Sequence, residues 1–391
     1  MKDFSRLEKL INDFVDKGSV PGCSVAVMQN DELIYHGEAG YSNRETGKPI
    51  TVNSMFSQAS TTKLFTYAIM GMLYEEGKFL FSDPVSDYLP EWKDTKKYVV
   101  LPNGEVTVKP LDHPMTVRNA VAMMCGMPYC MVPAMDPVTP TLAAMSKELE
   151  ALTKKVGRQT TLREEVSVMA NAPIMFEPGS HWQYGFGSEI TGAIVETLEG
   201  KALRDVFKER VIDPLELEHT DTFVRDWNKD FIVTTYGKKG QGDFEPIVGY
   251  GSNDPDAVPY ETRVNLLTSS RDFAVFMQML ANGGTYKGKK FLGQGTVNML
   301  HESQLDEVTI KDFENDYLAG YGYGLGFRTL ETQKYGHNGH LGCFGWTGGS
   351  GIWAEADPVA NASIVYMHNM FPNEELYHHH RVRAVAYGCL L

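Results

Sequence analysis

Segments with β character stand at the two ends of this chain, and helical segments fill its middle. Gly22 to Met28 and Leu33 to Gly40 are rich in strand formers and are separated by Asn30-Asp31, which predicts a hairpin. β character returns only late, at Tyr323 to Leu330, Gly345 to Trp353 and Ala362 to Met367. From Thr116 to Gly200 the spacing is helical, broken by Pro and Gly turns, without strand alternation. A chain of this order closes by bringing its ends together. The expectation is an α+β fold: an antiparallel sheet built from both chain ends, flanked by helices, with an inserted, mainly helical lobe. It would be one domain over 1–391, with an α/β lobe from 1–57 plus 215–391 and a helical lobe from 58–214.

Phe4, Leu7, Leu10, Ile11 and Phe14 predict an amphipathic helix over 3–17, stopped by Gly18. A second helix is expected from Ser60 to about Glu76, stopped by Gly77. Asp83-Pro84-Val85 and Leu89-Pro90 mark an irregular segment. Ser270 is expected to cap a helix carrying Phe273, Phe276, Met277 and Leu280 and ending at Asn282-Gly283-Gly284, and a terminal helix starts near Asn373.

Of the 391 residues, 36 are Lys or Arg and 50 Asp or Glu, a net charge of −14. That balance argues against nucleic-acid and anionic-membrane binding, both of which need a basic face. Five scattered cysteines (Cys23, Cys125, Cys130, Cys343, Cys389) without a C-x-x-C fit reduced thiols rather than a disulfide scaffold. The first residues lack an apolar signal core. The long weakly charged stretch from Asn119 to Met135 is broken by Gly126, Pro128 and Pro133, so it is no membrane span. A cytoplasmic protein without an export signal is expected.

Several motifs lead nowhere. The glycines of Gly320 to Gly326 alternate with aromatics and lack dinucleotide-loop spacing, and no P-loop or G-x-S-x-G occurs. His337, His340 and the run His378-His379-His380 lack the companions of a metal site. No metal or nucleotide cofactor is expected.

Ser60-Thr61-Thr62-Lys63 sets a hydroxyl and an amine one helical turn apart. A serine hydroxyl is a weak nucleophile until a base takes its proton, and a lysine amine serves where burial or a neighbouring cation lowers its pKa. A helix N-terminus adds an unpaired N–H and a dipole that favour an oxyanion. Ser60 is the one serine with Lys three positions on. Among nineteen serines chance supplies about one such pair, so the setting decides.

That setting is distinctive. Phe56-Ser57-Gln58-Ala59-Ser60-Thr61-Thr62-Lys63 is followed in order by Asp83-Pro84-Val85-Ser86-Asp87-Tyr88-Leu89-Pro90 and by Met115-Thr116-Val117-Arg118 with Cys125-Gly126-Met127-Pro128-Tyr129. Phe176-Glu177-Pro178-Gly179 with Trp182-Gln183-Tyr184 comes next, then Leu267-Thr268-Ser269-Ser270-Arg271-Asp272-Phe273 with Asn282-Gly283-Gly284. From Val20 to about Met367 this series resembles the serine β-lactamase-like superfamily of class C β-lactamases, penicillin-binding proteins and family VIII carboxylesterases.

The resemblance implies catalytic roles for Ser60 and Lys63, and for Tyr184 as the tyrosine of the second box, sharing the proton work. β-Lactamases carry Asn two positions after that tyrosine; here Phe186 offers no donor or acceptor. Their third box, K-T-G, looks replaced by Trp346-Thr347-Gly348, and with Gly349 and Asp357-Pro358 the stretch resembles the W-G-G region of family VIII esterases. A neutral indole cannot hold a substrate carboxylate as a lysine does. The resemblance further implies that the N–H groups of Ser60 and Gly349 form the oxyanion hole. A competing alignment places His337-Asn338-Gly339 in the third box; the spacing to Asp357-Pro358 favours Trp346. Met123, Met124, Met127, Tyr129, Cys130, Met131 and Met135 would border the cleft, with Tyr129 and Cys130 nearest to substrate.

The expected activity is a serine hydrolase cleaving small or medium neutral carboxylic esters. A β-lactamase or D-amino-acid peptidase, an acyltransferase and a non-catalytic scaffold stay open as alternatives.

Overall fold

The computed structural model describes residues 2–129, 139–247 and 265–391. At its centre lies an eight-stranded antiparallel sheet. Its strands are β1 (Gly22–Gln29), β2 (Glu32–Asn43), β3 (Lys48–Pro49), β4 (Tyr321–Tyr323), β5 (Arg328–Leu330), β6 (Phe344–Gly348), β7 (Ile352–Asp357) and β8 (Ala362–Met367). The spatial order β4-β5-β6-β7-β8-β1-β2-β3 joins the chain ends at β1–β8, where Ser24 faces Met367 and Gln29 faces Ala362. Asn30 and Asp31 take left-handed backbone angles (φ 53° and 65°), the two-residue turn that the hairpin requires.

Strand alternation sorts the side chains into two layers. Val25 and Val27, with Trp353, Ile364 and Tyr366, face α1 (Ser5–Asp16), which buries Leu7, Ile11 and Phe14. Ala26, Met28, Trp346, Ala354, Val365 and Met367 face the main core. There α2 (Lys63–Glu75) is buried on nearly every side from Leu64 to Leu73, as a helix apolar all round must be. It packs beside α5 (Gly187–Glu199). Between them in the chain lie α3 (Pro140–Val156), capped by Thr139, and α4 (Leu162–Met169), which opens on a Thr161–Glu164 capping box. The remaining long helices are α6 (Ser270–Ala281) and α7 (Glu375–Leu390). Among the described residues no helix is long and apolar enough to cross a membrane.

Some local expectations change. Tyr323 to Leu330 is not one strand: β4 and β5 form a hairpin, with Gly326 (φ 97°) where a Cβ would lie 2.1 Å from the Tyr67 ring. Gly345 to Trp353 is likewise the β6–β7 hairpin, turning through Gly349-Ser350-Gly351. α6 is capped by Ser269, whose hydroxyl accepts from Asp272 N–H, while Ser270 bonds Ser24 and His36. A two-stranded hairpin, Lys96–Val100 with Val106–Pro110, follows the irregular segment.

Candidate active site

The residues before Ser60 form a strained, tightly held turn. Ala59 sits at φ 47°, where a side chain costs about 1–3 kcal/mol unless its surroundings enforce the angle. Asn265 supplies that enforcement, accepting from Ala59 N–H at 2.9 Å and donating to Ser57 Oγ at 2.8 Å. The Ser57 carbonyl accepts from Ser350 Oγ at 2.9 Å and from Asn369 Nδ2 at 3.0 Å. Thr61 Oγ1 donates to the Gln58 carbonyl at 2.8 Å. Ser60 lies in a short 3-10 turn, Ala59–Thr62, and the α-helix begins only at Lys63. First-turn amides have no intrahelical acceptor, so the Ser60 N–H is not spent on the helix.

Lys63 Nζ lies 3.1 Å from Ser60 Oγ. The same nitrogen lies 5.4 Å from the ring centroids of both Tyr129 and Tyr184, whose rings meet edge to face at 5.6 Å. The structure therefore gathers Ser60, Lys63 and Tyr184, with Tyr129 closing the other side of the amine. The Tyr129 hydroxyl is committed elsewhere: it donates to Glu189 Oε2 at 2.6 Å, and Ser188 Oγ donates to the same carboxylate oxygen at 2.6 Å. Phe186 is buried edge-on to the Tyr129 ring at 4.5 Å. Burial lifts the phenols of nearby Tyr67 and Tyr323 far above their usual range, which leaves both protonated.

The third box comes in on β6. A Cβ on Gly348 would lie 2.3 Å from the Gln58 carbonyl oxygen, so the bare backbone packs directly on the turn that precedes Ser60. Pairing with β7 ends at Gly348, opposite Ile352, and Gly349 follows in the turn, bracketed by the Gly348 and Ser350 contacts to residues 57 and 58. Thr347 is half-buried opposite Trp353. The Trp346 indole N–H donates to the Tyr184 hydroxyl oxygen at 3.2 Å, and the two rings stack at 5.4 Å. Trp182 and Tyr323 extend this aromatic wall.

The other candidates lie elsewhere. Met123, Met124 and Met127 are buried core, and Cys130, Met131 and Met135 fall outside the described residues. His337 is in the sheet interior: its Nδ1 accepts from Gly339 N–H at 2.9 Å, so its Nε2 carries the hydrogen that points to Glu355 at 3.3 Å. Cys343 joins His337 and Glu355 within 4.8 Å. A nitrogen that carries hydrogen offers no lone pair, so this trio does not suit a metal ion. His340 pairs with Asp357 at 2.9 Å. Sequence reasoning missed Glu189 and Asn265. A carboxylate inside the apolar run of α5 was a visible signal for Glu189; nothing local marks Asn265.

Fold and site together define a serine hydrolase of the β-lactamase type. Residues 7–387 match the Beta-lactamase family, and the chain belongs to it. Protein Rv1367c of Mycobacterium tuberculosis is 25% identical over 372 residues, covering 91% of this chain and 88% of that one. A putative D-alanyl-D-alanine carboxypeptidase of Salmonella agona is 24% identical, covering 93% and 82%. Among solved structures, EstCE1, described as a hydrolase with promiscuous acyltransferase activity, superimposes with a TM-score of 0.77 at 22% identity, covering 98% of each chain.

Proposed function

We propose that the protein is a carboxylesterase that cleaves small or medium neutral esters through an acyl-enzyme on Ser60. The observation that carries the reading is the Lys63–Ser60 contact at 3.1 Å beside a third box that holds an indole in place of a cation. Lys63, as the neutral amine, takes the Ser60 proton while Oγ attacks the ester carbonyl carbon. The Ser60 and Gly349 N–H groups receive the oxyanion. When the C–O bond breaks, the leaving alkoxide takes a proton from Tyr184, and the Lys63 ammonium resupplies it. Water then repeats the sequence in reverse and releases the acid. An alcohol in place of water makes the same cycle an acyl transfer, a second reading that the description of EstCE1 favours.

A lactam or D-peptide substrate brings a carboxylate, for which Trp346 offers no charge, and an amide, for which Phe186 offers no partner. Free thiols at Cys23, Cys125, Cys343 and Cys389 support a cytoplasmic setting. The test compares turnover of p-nitrophenyl acetate and butyrate with nitrocefin and a D-Ala-D-Ala peptide. Faster ester turnover, with an acyl adduct by intact mass that Ser60→Ala abolishes, is the expected result. Strong preference for the lactam overturns it, and absence of fluorophosphonate labelling at Ser60 returns the chain to a scaffold role.

A further inference from the structure

The hairpin of Lys96–Val100 and Val106–Pro110 stands apart from the main sheet as a two-stranded unit. Its two edges differ. Along Lys96–Val100 the edge is covered: Tyr98 N–H donates to the Ile174 carbonyl at 2.9 Å, and Ile174 N–H donates to the Lys96 carbonyl at 2.8 Å. Tyr98 and its even-numbered neighbours therefore turn their backbone groups away from the hairpin, and the register sets Tyr98 opposite Val108 and Val100 opposite Val106. By the same alternation Val106 and Val108 turn their N–H and C=O groups outward, along an edge that no other described strand pairs with. Leu101 N–H, donating to the Glu105 carbonyl at 2.7 Å, fixes the opposite phase, with Glu105, Thr107 and Lys109 facing the sister strand.

The side chains along this edge are unpartnered on both faces. Val100, Val106 and Val108 are 69%, 55% and 42% exposed and share one face with Tyr98. A lone two-stranded hairpin is marginally stable, and a free edge of β-branched residues is a template for another strand. On the other face Lys109 stands opposite Lys97, a like-charge pair. Asp112 and Glu177 balance Lys97. Lys109 is exposed and in no ion pair among the described residues, and the exposed Glu105 carboxylate accepts from the Asn103 amide and meets no cation.

We infer that a second copy of this chain docks on the Val106–Pro110 edge, antiparallel about a two-fold axis at Thr107, so that two hairpins join as one four-stranded sheet. Val106 of each copy lies opposite Val108 of the other, and these pairs exchange the outward backbone bonds. Glu105 of each copy then faces Lys109 of the other, so the edge is complementary to itself. Moving the axis by one residue either way sets Lys109 against Thr107 or Asn103 and loses both charge pairs. An edge lysine ordinarily keeps foreign strands away, and here the second copy's Glu105 answers it. Pro110 has no N–H to extend the ladder, and the hairpin's other edge is taken by Ile174, so the assembly closes as a dimer and forms no filament. The contact is small, which makes the dimer a weak one.

The test is sedimentation equilibrium of the full chain from about 1 to 500 µM, the span in which a small interface associates. The mass should rise from the 43.7 kDa of one copy toward twice that value. Glu105→Lys or Lys109→Glu alone sets like charges face to face and should weaken association about tenfold, and the two together should restore it. All these positions are exposed, and circular dichroism checks that each variant is folded. Thr107→Cys reads the register: on the axis, where opposed Cα atoms come within disulfide reach, mild oxidation should cross-link two copies through residue 107. A single-copy mass over the whole range overturns the inference, as does a dimer that neither charge reversal weakens or that Thr107→Cys fails to cross-link.

Discussion

The Trp346 indole N–H donates to the Tyr184 hydroxyl oxygen at 3.2 Å while the two rings lie 29° from parallel. Trp346 therefore acts on the Tyr184 phenol, supplying one donor to its oxygen. A phenolate formed during proton transfer would keep this donor. Trp346→Phe retains the aromatic surface and removes the N–H. A drop of roughly tenfold in kcat on p-nitrophenyl butyrate, with KM nearly unchanged, is expected from the loss of one hydrogen bond. A rise in KM alone would reassign Trp346 to substrate contact.

Gly348 is the point where β6 touches the nucleophile turn. Gly348→Ala places a methyl against the Gln58 carbonyl, at 2.3 Å before relaxation, and neither backbone has a flexible side chain to yield. The strand must move off Ser60 and carry Gly349 with it. Ester turnover should fall roughly a hundredfold, the scale of a displacement near 1 Å, with the circular dichroism spectrum retained. Undiminished turnover would remove Gly349 from the oxyanion hole.

Tyr129 and Glu189 form a buried pair, both with exposure of 7%. Tyr129→Phe takes one hydroxyl donor from the carboxylate and should cost about 1.5–3 kcal/mol in urea unfolding, the range for a hydrogen bond to a charged group. Adding Glu189→Gln removes the charge and should recover part of the loss. Strictly additive effects would show that the contact carries no coupling.

Acid should destabilise the protein through its C-terminal histidines. Burial pushes His378 down to about 4 and His368 and His379 well below their usual value; Ser19 Oγ lies 2.8 Å from His378 Nε2, and Tyr366 Oη 3.0 Å from His368 Nδ1. The unfolded chain binds these protons near pH 6.5 and the folded chain does not, so their contribution is complete above 6.5 and decays as pH falls toward 4. His378 alone accounts for a loss on the order of 3 kcal/mol at pH 4. Unfolding free energy measured from pH 7 to 4 should show this slope, and His378→Gln should flatten it. An identical slope in the variant would refute the assignment.

How much of this was legible beforehand depends on whether the deciding contacts are local. The sheet from both ends was readable because β1, β2 and β8 alternate or run apolar and their turn residues are typical. The Lys96–Val100 and Val106–Pro110 hairpin escaped because it buries no continuous face and so shows no alternation. The turns at Gly324–Phe327 and Gly349–Gly351 were swallowed by the β-rich runs around them. The α6 cap was readable and misplaced by one: Ser269 with Asp272 has the capping spacing, whereas Ser270 does not. Ser60, Lys63 and Tyr184 announced themselves through sequence boxes. The Glu189–Tyr129 bond spans 60 positions and Asn265–Ala59 spans 206, so no window of sequence contains either.

The Ser57 carbonyl is held by side chains 293 and 312 positions further along the chain. During synthesis the serine three residues on is therefore made long before Ser350 and Asn369, the groups that brace the turn carrying it. Until both have been added and folded back, that hydroxyl has no fixed seat, and a polypeptide cut short before residue 350 is expected to show no acyl adduct at Ser60 by intact mass.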